Sequence, residues 1–410
     1  MGFAELWESL LPIGRDPRTS GYHRYSFTPA DTACRQWFMT AAAQRGLRTD
    51  CDRNGNLWAW WDAGPVAAAG PVAAAVVTGS HLDSVPDGGA FDGALGVVSG
   101  FAATDLLRGR GFIPARPVGV AAFCEEEGAR FGTACLGSRL LTGAAEPGSA
   151  RELRDADGVT LAQAMTAASL DPAGIGPDDD LLARIGAFIE LHVEQGRALE
   201  ALDSPVGIAE GIWPHGRWRL EFAGRADHAG TTRLADRRDP MLPYAATVLA
   251  ARQAAAGHGG LATFGKVAAQ PGGANAISSV VRAWLDARAP GQAVLDRVVG
   301  EIEASARVAA AAEGVEISVW AESVTPPVTF DPALRARLGR VLTERGMAAP
   351  VLPTGAGHDA GVLAARIPAA MIFVRNPSGV SHSPAEQASA ADCEAGVAAL
   401  AAVIEDLAGQ

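Results

Sequence analysis

The sequence predicts an α/β protein, with a mixed, mostly parallel sheet flanked by helices and interrupted by an inserted α+β domain. Three observations carry that expectation. Short apolar runs alternate with helical stretches through the first half, as strand–helix–strand units require. Ionisable residues crowd the places where those runs end, which is where parallel sheets collect ligand groups. After residue 207 the pattern changes to half-exposed alternation between two long helical segments, and then it reverts.

The elements follow in order. Residues 31–46, DTACRQWFMTAAAQRG, read as a helix with Asp31 near its start and Gly46 at its stop. NLWAWWD, PVAAAVVTGS and PVGVAAFCEEEG read as strands, with a helix near 94–108 between the last two. AFIELHVEQG (187–196) is a further strand, in which Ile189, Leu191 and Val193 face opposite to Glu190, His192 and Glu194. GRWRLEFAGRADHAGTT and VVRAWLDARA alternate like half-exposed strands, and 239–257 and 291–313 read as helices. Helix-plus-strand material returns at PPVTFDPALRARLGRVLTERG and PAAMIFVR. The expectation is a domain built from 1–207 and 325–410, interrupted by a smaller one over 208–324. At 410 residues two domains are also the default, because one core rarely organises that length.

Bulk composition narrows the function. Hydrophobic residues make up 48% and charged residues 20%, an ordinary globular balance. A formal net charge of −12 argues against nucleic-acid or anionic-membrane partners, which need a basic face. Five cysteines without a C-x-x-C pair read as reduced thiols. The first segment, MGFAELWESLLPIG, carries acids where a secretion signal needs bases, and no apolar stretch reaches the roughly 20 residues of a membrane helix. The expected location is cytoplasmic.

The chemistry concentrates in five short stretches: SHLDS, GGAFDG, FCEEEGARFG, ELHVEQG and GVSHSPAE. A single HxD or a lone EEE is more often a loop histidine or a solvated acidic face. In this combination, at predicted strand ends, histidines and carboxylates suit zinc or a similar divalent ion. One ion needs about four ligands, so five candidates with one bridging acid fit a pair of ions. His81 and Asp83 lie two apart and point to one side of extended chain, so the acid can fix the ring's tautomer. Neighbouring Glu126 and Glu127 cannot face one point, which divides a metal ligand from a general base. The glycines of DGGAFDGALG allow Asp92 to return to the strand ends. His23, His215 and His258 carry no such context, and surface or packing roles fit them better; His358 is intermediate. The same glycine loop matches neither phosphate-binding spacing, G-x-G-x-x-G or G-x-x-x-x-G-K-[ST].

GSHLDSVPDGGAFDGALGV, EEEGARFG, ELHVEQG, GRADHAGTT, PGGANAIS, LDAR, GAGHDAG and GVSHSPAE together resemble the hydantoinase/carbamoylase branch of the dinuclear metallopeptidase clan. That branch includes N-carbamoyl-L-amino-acid hydrolases, allantoate amidohydrolases and β-ureidopropionases. The resemblance runs from about residue 10 to 390, in family order. It implies two divalent metal ions (Zn, or Mn, Co or Ni) held by His81, Asp92, Glu127, His192 and His382, with Asp92 bridging. It implies Glu126 as general base, Asp83 behind the site, and His228 as the group that polarises the scissile carbonyl, often from a partner subunit. Asn275 and Arg288 match positions that hold the substrate carboxylate; Gln195, Gly357 and His358 match pocket lining. Segment 208–324 resembles the family's lid, which also forms a homodimer. The implied substrate is a small anionic ureido acid, allantoate or an N-carbamoyl-L-amino acid. The alternatives are an aminoacylase, aminopeptidase or N-formyl/N-formimino hydrolase on the same scaffold, and a binding protein without chemistry. Two departures from the pattern, NAIS for NVIP and alanine in FDGALG, touch no ligand.

Overall fold

The computed structural model describes residues 2–63 and 74–409. The first residues of the expected PVAAAVVTGS strand, 71–73, lie outside the described residues. The chain divides into two compact units, 1–211 with 329–410, and 212–328.

The strands are β1 (Arg48–Cys51), β2 (Leu57–Trp61), β3 (Ala75–His81), β4 (Val118–Phe123), β5 (Ile185–Val193), β6 (Val206–Ile212), β7 (His215–Ala223), β8 (Asp227–His228), β9 (Leu261–Gln270), β10 (Ala276–Ile277), β11 (Val280–Arg288), β12 (Glu316–Thr325), β13 (Val328–Thr329), β14 (Val351–Thr354) and β15 (Ala369–Val374). The first unit is built on a nine-stranded sheet ordered β1-β2-β4-β3-β5-β15-β6-β13, with β14 beside β6. Its centre, β4-β3-β5-β15, is parallel, and β1, β2 and β6 join it antiparallel. Every position of β3, β4 and β15 is buried, which explains why these strands read as apolar runs without alternation: helices cover both faces. The main covering helix, Ala94–Gly109, is small-residue rich and packs against the helix Ala390–Ala408.

Because the four central strands run in one direction, their carboxyl ends share one edge of the sheet. His81 ends β3 in register with Phe123, the last residue of β4, and His192 of β5 pairs with Phe373 of β15. Strand pairing alone therefore sets His81, the 124–127 turn and His192 along one edge.

The helix expected over 31–46 is observed at Pro29–Gln44, two residues earlier, after a short helix at Phe3–Leu10. Thr28 caps it by accepting the Asp31 N–H, and Pro29 occupies the first turn, where a missing N–H costs nothing. All five cysteines are free thiols. Among the described residues no helix is long and apolar enough to cross a membrane.

The second unit is a four-stranded antiparallel sheet ordered β12-β7-β11-β9, with a separate β8–β10 pair. Buried positions alternate along β7 and β11, and they meet the helices Met241–His258 and Gln292–Ala312 in one core of Trp218, Leu220, Phe222, Val281, Leu285, Val298 and Ile302.

Candidate metal centre

His81 and His192 are each 1% exposed, and both rings point from strand ends toward Asp92. His81 Nε2 lies 3.4 Å and His192 Nε2 3.2 Å from Asp92 Oδ1. His382 Nε2 approaches the other oxygen, Oδ2, at 3.4 Å, and Glu127 Oε2 at 3.5 Å. One carboxylate thus faces three imidazoles. Two sets of ligand atoms share it: His81, Asp92 and His192 form one, Asp92, Glu127 and His382 the other, each with atoms within 4.8 Å of one another.

Local backbone makes this convergence possible. Gly93 has φ +66°, and a Cβ there would lie 2.4 Å from the His81 ring, so only glycine lets the Asp92 loop fold over that imidazole. Glu125 and His382 are non-glycine residues at φ 55° and φ 54°, a conformation that persists only where surroundings hold it. Glu125 is held by its own Oε1, which accepts the N–H groups of Arg130 and Phe131. That turn sends Glu126 and Glu127 in different directions. Asp83 fixes them from behind, because its two oxygens accept the N–H of Glu126 at 3.2 Å and of Glu127 at 3.0 Å. His81 Nδ1 meets the Asp83 carbonyl at 3.0 Å, which orients the ring with Nε2 toward the cluster.

Glu126 stands apart from both ligand sets. Its Oε2 is 3.6 Å from His81 Nε2, and its Oε1 accepts the Cys135 thiol at 3.1 Å. Burial pushes its carboxyl well above the usual range, with Asp359, Glu127 and Asp83 adding to the rise against the opposing pull of His81. Burial, then Asp92, raises Glu127 to about 8. Burial works to lower His81, but Glu126, Asp83 and Asp92 outweigh it and lift it well above its ordinary value. Burial drives His358 well below its ordinary value, which keeps that ring neutral.

These residues fit a divalent cation. Among the described residues the buried Nε2 of His81 and Oε1 of Glu127 have no hydrogen-bond partner, and crowded buried acids are stable only with compensating positive charge. Neutral imidazoles with carboxylates are the donor set of zinc and its first-row neighbours. A third grouping, Glu190, His192 and His358, is geometrically close enough for an ion. Glu190 is already committed, however: Ser80 Oγ donates to it at 2.7 Å and the Ala360 N–H at 2.8 Å.

Of the remaining expected residues, Gln195 donates to Asp92 Oδ2 at 2.9 Å, and the His358 ring stacks edgewise on His192 with centroids 4.5 Å apart. Gly357 directly precedes His358, which caps the helix Asp359–Leu363. His228, Asn275 and Arg288 belong to the second unit. His228 and Asn275 are neighbours across the β8–β10 pair, where the Ala229 N–H donates to the Asn275 carbonyl at 3.0 Å. Arg288 ends β11, pairing with Asp286 at 2.8 Å and opposite His215. It lies eight residues beyond Val280, roughly 25 Å along β11 from that strand's start.

Two contacts escaped the sequence reading. Cys135 against Glu126 left no trace there, since a lone cysteine carries no pattern. Glu386 accepts the Asp92 N–H, and its place four residues after His382 was the available clue.

An α/β domain that gathers histidines and carboxylates at the carboxyl edge of its parallel strands, in a chain with an α+β insert, has the architecture of the metallopeptidase and amidohydrolase class. The chain belongs to peptidase family M20/M25/M40, whose sequence model matches residues 77–406. It is 36% identical over 399 residues to the N-carbamoyl-L-amino acid amidohydrolase of Geobacillus stearothermophilus, covering 96% of each chain. It is 32% identical to the allantoate amidohydrolase of Escherichia coli (strain K12), covering 100% of this chain and 99% of that one. Among solved structures it resembles a hydantoinase/carbamoylase family amidase from Burkholderia vietnamiensis, with a TM-score of 0.87 and 31% identity over 100% of this chain and 98% of that one.

Proposed function

We propose that this chain is a metal-dependent amidohydrolase that cleaves the C–N bond of a ureido (N-carbamoyl) acid, an N-carbamoyl-L-amino acid or allantoate. The observation that carries this reading is one carboxylate, Asp92, shared by two ligand sets with the unshared Glu126 alongside. The names of the relatives supply the substrate class.

His81, Asp92 and His192 would hold one ion, and Asp92, Glu127 and His382 the other. When bound, such ions polarise the carbonyl and make water a better nucleophile at neutral pH. Glu126 Oε2, turned toward the cluster, takes a proton from the attacking water and returns it to the leaving nitrogen. Asp83 keeps Glu126 and Glu127 apart by holding both backbone N–H groups. The family resemblance assigns His228, from a partner subunit, to the developing oxyanion, where charge stabilisation counts most. For an N-carbamoyl acid, water and the substrate give the amino acid, ammonia and carbon dioxide. Ammonia release across ureido acids, formyl amino acids and dipeptides tests the reading. Turnover confined to ureido acids supports it, and turnover confined to dipeptides refutes it.

The protein acts as a homodimer in this reading. Arg288 ends β11, whereas His228 and Asn275 lie on the β8–β10 pair that precedes its start in the chain, and in this reading two copies contribute one end each. Edge strand β9 leaves one side unpaired among the described residues, and helix Met241–His258 beside it exposes Met241, Leu242 and Leu249. A complementation experiment follows from two-fold symmetry. His228→Ala and Arg288→Ala homodimers are each inactive. Mixed one to one, half the dimers are hybrids carrying one intact site, which restores roughly a quarter of wild-type activity. No recovery in verified hybrids contradicts shared sites.

A further inference from the structure

Glu386 closes the GVSHSPAE block and is 5% exposed. Its Oε1 accepts two backbone N–H groups from a loop almost 300 residues earlier, Phe91 at 2.8 Å and Asp92 at 2.9 Å. Its Oε2 accepts the Ser381 hydroxyl at 3.3 Å, and that hydroxyl also reaches Asp92 Oδ2 at 3.3 Å. Gln195 Nε2 completes a ring of contacts by donating to Asp92 Oδ2 at 2.9 Å and to Ser381 Oγ at 3.1 Å. On the loop's other side, a Cβ at Gly89 would lie 2.4 Å from Glu386 Oε1, so the backbone presses against this carboxylate at a spot glycine alone permits.

We propose that Glu386 is a positioning residue that locks the Asp92 loop to the His382 turn, and so sets the geometry of the metal centre without touching the metal. The need for such a lock is physical. The Asp92 loop is glycine-rich and has few side chains with which to fix itself, whereas His382 sits at φ 54° and needs its turn held. Asp92 and His382 are contributed by segments with no covalent proximity, yet their atoms must agree to within a fraction of an ångström. Gln195 and Ser381 reach the Asp92 carboxylate, whereas Glu386 holds the backbone of its loop: it accepts two N–H groups on that segment and one hydroxyl on the other. The inference rests on the reading of Asp92 and His382 as metal ligands.

The test is calorimetric titration of the chelator-stripped full-length protein with Zn²⁺ and Mn²⁺, alongside thermal melting. Glu386→Ala weakens divalent-ion affinity by about 10- to 100-fold, the range found when a group that orients a ligand is removed. Glu386→Gln keeps an oxygen for both N–H groups and an amide for Ser381, so its affinity stays within about threefold of wild type. That rescue separates bracing from the loss of a negative charge. Gly89→Ala, which pushes a methyl group against the intact carboxylate, weakens affinity in the same direction and decides the matter if Glu386→Ala fails to fold. A wild-type protein that binds no divalent ion overturns the metal reading itself. A wild type that binds, with Glu386→Ala binding equally well or Glu386→Gln losing as much, overturns the brace.

Discussion

Glu126→Gln leaves the protein folded and metal-loaded but lowers kcat by roughly 10²- to 10⁴-fold, the contribution of a positioned general base. The side chains match in shape, so the contact of Oε1 with the Cys135 thiol survives. What disappears is the ability to accept a proton at Oε2, the atom 3.6 Å from His81 and turned toward the cluster. Glu126 belongs to neither ligand set, so metal content by elemental analysis stays at the wild-type level. Stability stays level or rises, because burial opposes ionisation of this carboxyl and the amide has no charge to bury. Turnover retained, or metal lost in step with turnover, removes Glu126 from the role of base.

Asp92→Ala has the opposite profile and is the most damaging single substitution expected. Three imidazoles at 3.2 to 3.4 Å and the Gln195 amide at 2.9 Å all converge on this carboxylate. Its pKa is held well below normal by His192 and His81, although burial alone would raise it. Removing it leaves each ligand set with two members, short of the about four that a stable site uses. Bound metal falls from about two equivalents to less than one, and turnover falls by at least about 10³-fold. A variant that retains two equivalents shows that Asp92 bridges nothing.

Much of the candidate centre was legible because His81, the 125–127 acids and His192 interrupt or follow apolar strands, where an ionisable side chain has no packing reason to be. SHLDS, ELHVEQG and the acidic triplet each announce themselves in that way. The central parallel strands were legible for the matching reason: burial on both faces leaves unbroken apolar runs. Other parts were not. Strand β1 is four polar, mostly exposed residues on a sheet edge, without alternation to read. Residues 147–183 hold three short α-helices, two of which join Phe131, Leu136 and Leu140 in a satellite core, and all three are too short for a helical period to show. Glu386 was hidden because its partners are backbone N–H groups far along the chain.

Anomalous diffraction recorded at the absorption edge of a bound first-row metal would show whether five side chains grip two cations beside one free glutamate. Two peaks are expected, one among His81, Asp92 and His192 and one among Asp92, Glu127 and His382, with Glu126 bonded to neither. A single peak, or density among Glu190, His192 and His358 instead, contradicts that arrangement.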